Sequence, residues 1–139
     1  MREIVLDTET TGFREREGDR IVEIGCIELV NHVATGKTYH QYINPERAMP
    51  ADAYKVHGLS EEFLSAFPKF EEIVDDFLEF IRDNDPLIIH NAEFDTRFIN
   101  AELALLNRPL ISITRTIDTV KLARKKFPGS PASLDALCR

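Results

Sequence analysis

The chain begins with an apolar segment that ends in two carboxylates, Ile4-Val5-Leu6-Asp7-Thr8-Glu9. Side chains in a β-strand alternate between its two faces, so Asp7 and Glu9 project from the same face, roughly 7 Å apart along the strand. Two negative charges held this close repel each other, and partial burial in a central strand raises the cost of ionising both. A divalent cation between them would remove that cost. The alternative is a strand that frays into a polar loop with two solvated acids.

Length and composition indicate one ordinary globular domain. The chain has 139 residues, of which 43% are hydrophobic and 29% charged, and neither fraction points to disorder or to a membrane class. The apolar runs are too short to span a bilayer, and the N-terminus enters a strand without a signal-peptide pattern. We therefore expect a cytoplasmic protein with no membrane partner. Cys26 and Cys138 have neither disulfide-framework nor metal-site spacing, and Cys26 is interpreted as a small buried hydrophobe.

The charge balance is acidic. With 17 basic and 24 acidic residues, the formal net charge is −7. This argues against broad electrostatic capture of nucleic acid. It does not exclude an enzyme that acts on nucleic acid, because metal cations bound in an acidic site reverse the local field.

Apolar periodicity divides the chain into strands and helices. Alternating or continuous apolar residues predict an initial strand from Ile4, then strands at Ile21 to Val30, Thr38 to Ile43, Leu87 to His90 and Ile111 to Ile117. Apolar steps of three and four residues, together with capping residues, predict helices at Ala51 to His57, from Ser60, at Phe70 to Ile81, Asp95 to Asn107, Asp118 to Lys126 and from Ser133 to Leu137. His40, in the third strand, is interpreted as a half-exposed sheet residue and not as a ligand.

This order of elements predicts a mixed α/β sheet with the first strand at its centre. Three strands joined by short connections form an antiparallel meander, and the later strands alternate with helices. If the Leu87 to His90 strand lies parallel to the first strand and next to it, their carboxyl ends meet at one edge. Asp95 then faces Asp7 and Glu9. Three converging carboxylates form a hard-oxygen site suited to Mg²⁺ or Mn²⁺ and not to zinc.

Three motifs in the chain resemble those of a known enzyme family. They are Asp7-Thr8-Glu9-Thr10-Thr11-Gly12, Val56-His57-Gly58-Leu59 and His90-Asn91-Ala92-Glu93-Phe94-Asp95. In this order they look like the first motif, the substrate loop and the second motif of the DEDD 3′-to-5′ exonucleases. The resemblance is closest to the proofreading epsilon subunits of bacterial DNA polymerase III, and it extends through Asp118-Thr119 to the segment from Ser133 to Cys138.

The resemblance implies a ribonuclease H-like fold, with a three-stranded antiparallel meander and two parallel strands in one five-stranded sheet flanked by helices. It makes Asp7, Glu9 and Asp95 the catalytic residues and the ligands of two divalent cations, Mg²⁺ or Mn²⁺, in a two-metal mechanism. The residues that it assigns to substrate binding are Thr10, Thr11, Gly12, Asp52, Val56, His57 and Asn91. For His57 the alternative is a histidine at a helix C-terminus that satisfies a backbone carbonyl.

One family motif is missing. The third motif, H-x-A-x-x-D, supplies a general-base histidine and a fourth carboxylate, and none of the four histidines of this chain has those neighbours. We therefore expect residues 1–139 to form a single exonuclease domain that is incomplete at its C-terminal end. These residues alone are expected to be inactive or strongly impaired.

The function implied is removal of mismatched nucleotides from DNA 3′ ends, which is proofreading within a replicative DNA polymerase. The expected partners are single-stranded or frayed DNA 3′ ends, and the catalytic and other subunits of DNA polymerase III, bound mainly through segments beyond the nuclease domain. One alternative is an RNA-end-trimming exonuclease of the same superfamily, because no residue here reads the sugar. A second alternative is a catalytically incomplete assembly module of the replicase.

Overall fold

The structure is a computed structural model that describes residues 1–121. One sheet contains β1 (Arg2–Thr10), β2 (Ile21–Val30), β3 (Val33–Tyr42), β4 (Leu87–Ile89) and β5 (Thr116–Asp118), in the order β3-β2-β1-β4-β5. The strands β1, β2 and β3 pair antiparallel, whereas β4 pairs parallel with both β1 and β5. The predicted mixed sheet with a central first strand is confirmed.

Register within the sheet determines which side chains share a face. Asp7 lies opposite Gly25 and Glu9 lies opposite Glu23 on β2. On the other side of β1, Val5 lies beside Ile88 of the parallel strand β4. Because parallel neighbours run in the same direction, the carboxyl ends of β1 and β4 lie at one edge of the sheet.

The described helices are α1 (Ala51–His57), α2 (Glu61–Leu64), α3 (Phe70–Phe80) and α4 (Ala92–Leu105), with 3₁₀ turns at Glu15–Glu17 and Ile113–Arg115. Helix α1 ends as predicted at Gly58, whose φ of 71° is readily adopted by glycine. The hydroxyl of Ser60 caps α2 by accepting a hydrogen bond from the Phe63 amide. Within residues 1–121, no helix is both long enough and apolar enough to cross a membrane.

The core lies between one face of the sheet and helices α3 and α4. The buried stripe of α3 consists of Phe70, Ile73, Val74 and Phe77. It belongs to the same cluster as Ile4 and Leu6 of β1, and Phe98 contributes from α4. The phenylalanines of α3 are therefore core residues, as predicted. Arg2 joins three elements at the start of β1, because its guanidinium donates to Glu28, Asp85 and the Phe80 carbonyl.

The face of the sheet that carries Asp7 and Glu9 is more open. Side chains alternate along β1, so Val5 lies on this face together with the two acids. Ile27, opposite Val5, is 44% exposed, and Ile117 of β5 is 38% exposed. The acidic residues at the end of β1 are therefore accessible from this side of the sheet.

The fifth strand is shorter than predicted. It comprises Thr116–Asp118, whereas the prediction was Ile111 to Ile117. Ser112 caps a 3₁₀ turn by accepting from the Thr114 amide, and Arg115 donates to the carbonyls of Asp85 and Ile81. These contacts hold residues 111–115 outside the sheet.

Helix α4 begins at Ala92, three residues earlier than predicted. The Asp118 carboxylate accepts hydrogen bonds from the amides of Asn91 and Ala92, so a residue from β5 stabilises the start of this helix. Asp118 also accepts from the Val120 amide, as expected of a capping residue. Most of the predicted helix from Asp118 to Lys126, and all of the one from Ser133, lie outside the described residues.

Candidate active site

Three carboxylates converge where β1 and β4 end. Asp7 and Glu9 lie on the open face of β1, and Asp95 lies in the first turn of α4, which follows β4 after a two-residue turn. Asp95 is only 4% exposed, and its Oδ2 atom has no hydrogen-bond partner in the described part of the chain. A buried carboxylate oxygen without a donor is costly unless a cation or a proton compensates it.

The electrostatics of the site agree with this geometry. Burial raises the pKa of Asp95 to about 8, and the negative charges of Asp7 and Glu9 contribute, while the neighbouring Thr8 opposes the shift. Partial burial also raises the pKa of Glu9, to which the charges of Asp7 and Glu23 add. The pKa of Asp7 is raised by partial burial and by Glu23, against the effect of the Thr8 amide. Neighbouring negative charge thus makes ionisation of all three acids less favourable.

These properties fit a divalent cation. The donors are hard carboxylate oxygens, which suit Mg²⁺ or Mn²⁺, and one of them lacks a protein donor. Within residues 1–121, however, no three His, Cys, Asp or Glu side chains already form a closed metal cluster. Asp7, Glu9 and Asp95 are coupled by charge, and their side chains must move closer together to enclose an ion.

A cleft of about 610 Å³ adjoins the acids. The predicted site residues in its lining are Glu9, Thr10, Thr11, Gly12, Asp52, Val56 and His57. The end of β1 and helix α1 therefore form facing walls, although they are separated by 40 residues in the chain. Asn91 is not among the lining residues. It is exposed, has a left-handed backbone conformation (φ 61°) and donates its amide to Asp118.

His57 connects the two walls of the cleft. Its Nδ1 atom accepts a hydrogen bond from the Leu59 amide at 3.0 Å, which leaves the proton on Nε2. Nε2 lies 3.1 Å from the Thr10 carbonyl oxygen and donates to it. Both ring nitrogens therefore bond to backbone, as in the carbonyl-satisfying alternative, and the contact holds α1 against the end of β1.

Asp19 organises the loop that follows β1, and sequence reasoning missed it. Its carboxylate accepts hydrogen bonds from the Thr11 hydroxyl at 2.8 Å and the Arg14 amide at 3.1 Å, and pairs with Arg47 at 3.0 Å. A Cβ atom on Gly12 would collide with this carboxylate. No local pattern distinguishes Asp19 from the other charged residues of its loop.

Two aromatic rings in the cleft were also missed. Phe13 is 76% exposed, and its ring packs edge-on against Phe94 with the centroids 6.2 Å apart. Phe94 in turn packs on the buried Phe98, with the centroids 4.8 Å apart. The sequence signal that could have revealed this surface is an aromatic residue, Phe13, directly after Gly12. The pair gives the cleft a supported apolar surface next to Glu9.

A partly buried ion pair anchors the helix that carries Asp95. Glu102 of α4 is 3% exposed and accepts from Arg20 Nη2 at 2.6 Å and Arg20 Nε at 2.8 Å. The same carboxylate accepts from the Ile21 amide at the start of β2. This bidentate geometry restricts both the distance and the orientation of α4 relative to the sheet.

The chain is similar to known exonucleases over its whole length. The profile of the exonuclease family RNase_T matches residues 4–139. DNA polymerase III subunit epsilon of Rickettsia felis is 59% identical over 142 residues, which cover 100% of this chain and 62% of that protein. The same subunit from Salmonella typhimurium is 45% identical over 144 residues, covering 99% and 59%. The chain thus spans about three-fifths of the length of these relatives.

Solved structures show the same fold. Exonuclease X in complex with 5′ overhanging duplex DNA superposes with a TM-score of 0.75 and 25% identity, covering 97% of this chain and 70% of that one. Apo Exonuclease I superposes with a TM-score of 0.81 and 14% identity, covering 91% and 30%. At that lower identity the likeness concerns the fold alone.

We predict that Gly12→Ala destabilises the protein. The added Cβ collides with the Asp19 carboxylate, so the hydrogen bonds of Asp19 to the loop must break or shift. The expected decrease in the free energy of unfolding, measured by urea denaturation in EDTA, is about 1–3 kcal/mol. Gly25→Ala is the matched control, because a Cβ there meets no atom within 4 Å. Equal decreases in the free energy of unfolding from both substitutions would contradict the role of Asp19 in holding this loop.

We also predict that Asp95→Asn stabilises the metal-free protein at alkaline pH. The folded state keeps a proton on Asp95 up to about pH 8, whereas the unfolded chain loses it near pH 4. Folding of the wild type therefore becomes less favourable as the pH rises through this interval, and the penalty is absent below it. Denaturation in EDTA should show the variant more stable by about 1–3 kcal/mol at pH 8, with no gain at pH 4. A wild type at least as stable as the variant at pH 8 would refute the assigned burial of charge.

Proposed function

Because the chain belongs to the RNase_T family of exonucleases, we propose that the protein removes mismatched nucleotides from DNA 3′ ends as the proofreading nuclease of a replicative DNA polymerase. The observation that carries this proposal is the group of mutually repelling carboxylates Asp7, Glu9 and Asp95 beside an aromatic cleft. A site of this kind is unfavourable for the fold by itself and becomes favourable when cations and a phosphate ester occupy it.

Asp7, Glu9 and Asp95 are the residues that would hold Mg²⁺ or Mn²⁺. When bound, two such cations supply activation of the attacking water and stabilisation of charge on the leaving 3′ oxygen. Asp95 Oδ2 is available for this role because no described protein donor occupies it. The side chains of Asp7 and Glu9 both remain partly exposed to solvent, so both carboxylates can be approached from the open face of the sheet.

The cleft suits a terminal nucleotide. Its volume of about 610 Å³ lies in the range of small-molecule binding sites. The supported rings of Phe13 and Phe94 offer a surface on which a base can stack, and stacking tolerates any base. The buried Thr10 and Thr11 and the half-buried Gly12 bring backbone close to the same space. A base must leave its partner to enter, which favours frayed or mismatched ends.

The charge distribution confines recognition of a nucleic-acid substrate to the cleft and the three acids. The net charge of −7 does not attract a phosphate backbone over the whole surface. Cations held by the three acids would attract the scissile phosphate, and Arg14 lines the cleft nearby. Binding should therefore depend on divalent cations more than on broad basic contacts.

The relatives also support a place in a larger assembly. They bear the name of a subunit of DNA polymerase III. We infer that the partners are the catalytic and other subunits of that polymerase, in the cytoplasm, and that contact with them depends mainly on the parts of the relatives that this chain does not span.

The test is nucleotide release by the complete protein from three end-labelled substrates, namely mismatched DNA, matched DNA and RNA. In Mg²⁺ we expect mismatched DNA to be degraded fastest and EDTA to stop the reaction. Asp7→Asn and Asp95→Asn should each lower kcat by at least about 10³-fold while the protein stays folded.

The control variant is Glu79→Gln, which removes the same charge from the exposed side of α3 and should retain full activity. Faster release from RNA than from mismatched DNA would favour RNA-end trimming and contradict the proofreading proposal. An inactive wild type that still binds the polymerase would favour an assembly module.

A further inference from the structure

A fourth carboxylate lies beside the candidate site. Glu23 of β2 is the cross-strand partner of Glu9, and Gly25 is the partner of Asp7. Directly opposed residues of an antiparallel pair project from the same face, with their Cβ atoms about 4.5–5.5 Å apart. Glu23 therefore stands on the same open face as Asp7 and Glu9, one strand further from β4.

His40 of β3 holds this carboxylate. Its Nε2 atom lies 2.5 Å from Glu23 Oε2, and its ring packs edge-on against Tyr42 with the centroids 4.8 Å apart. The side chains of Glu23 and His40 are 25% and 50% exposed, so the pair lies at the solvent boundary. A carboxylate restrained by a partner on the next strand keeps a constant position relative to Glu9.

Gly25 leaves the space between Asp7 and His40 free of any side chain. His40 lies opposite Gly25 on one side and Asp7 lies opposite it on the other. A Cβ added at Gly25 would meet no atom within 4 Å. No packing constraint in the described structure requires glycine there, although glycine weakens a strand. The gap keeps the acidic face open to solvent and ions.

The charge of Glu23 acts on the acids that would bind the cation. Glu23 lies directly opposite Glu9 and diagonally across from Asp7 on the same face, so its charge repels both carboxylates. Without a cation, Glu23 therefore adds to the repulsion in the site. With a divalent cation at Asp7 and Glu9, the same charge becomes attractive and acts at short range across the gap.

We propose that Glu23, held in place by His40, is a positioning residue that raises the affinity of the site formed by Asp7, Glu9 and Asp95 for divalent cations. This inference rests on the proposed function. Glu23 acts through its charge on the bound cation and on the neighbouring acids. The contact of His40 with Oε2 holds the carboxylate towards β3, and no direct bond to the cation is assigned to Glu23.

The test is a Mn²⁺ titration of the complete protein, followed by thermal unfolding and by the electron paramagnetic resonance signal of free Mn²⁺. For Glu23→Gln, the Mn²⁺ concentration at half-saturation should rise roughly fivefold, the effect of one charge removed about 8 Å from a divalent ion in water-like surroundings. His40→Ala should shift it in the same direction by a smaller factor, since the carboxylate becomes free to rotate. Nuclease activity that Glu23→Gln loses at limiting Mn²⁺ should return at saturating Mn²⁺.

Glu79→Gln provides the matched loss of charge on α3 and should leave the Mn²⁺ half-saturation unchanged. An unchanged half-saturation in Glu23→Gln, or tighter binding in His40→Ala, would overturn this inference while leaving the proposed function intact. Activity that stays low at saturating Mn²⁺ would overturn it as well, because it would indicate a structural defect. A wild type without any Mn²⁺ response would overturn both the inference and the metal-dependent function.

Discussion

Repulsion among Asp7, Glu9 and Asp95 is the constraint on which the structure depends. Burial raises the pKa of Asp95 to about 8, the charges of Asp7 and Glu9 contribute, and one oxygen of Asp95 is buried without a donor in the described chain. A fold that carries such a site must obtain its stability elsewhere. It does so on the opposite face of β1, where Ile4 and Leu6 are packed into a core that includes Phe77. The face with the acids stays open, and the face without them is closed.

Contacts outside the site keep the elements that form it in position. The Arg20–Glu102 pair fixes α4 against the start of β2, and the Asp118 carboxylate stabilises the first residues of that helix. Asp19 holds the loop after β1, and His57 ties α1 to Thr10. Each of these contacts involves a charged or polar side chain bonded to a different element. Together they hold the walls of the cleft and the backbone of the buried acid in one arrangement, so that only the acidic side chains need to move to enclose an ion.

Local patterns predicted the elements whose signals lie within a few residues. Alternation of apolar residues predicted β2 at Ile21–Val30, and alternation of side chains along β1 placed Asp7 and Glu9 on one face. The glycine that follows α1 predicted the end of this helix, which spans Ala51–His57. The parallel pairing of β1 with β4 followed from the order of strands and helices. Contacts between distant residues were not predictable. The start of α4 depends on Asp118, 26 residues further on, and the short β5 depends on Arg115 bonding to Ile81. The hydrogen bonds by which Asp19 holds the loop after β1 also depend on tertiary contacts, as does the position of Asn91 outside the cleft lining.

The most direct test of this account is anomalous diffraction from crystals of the complete protein soaked in Mn²⁺. We expect density for Mn²⁺ within about 2.0–2.5 Å of carboxylate oxygens of both Asp7 and Asp95. Asp95 Oδ2 should be one of these oxygens, and the peak should disappear in crystals of Asp95→Asn. Mn²⁺ bound only elsewhere, with Asp95 Oδ2 hydrogen-bonded to a protein donor, would contradict the claim that a cation resolves the repulsion at the end of β1.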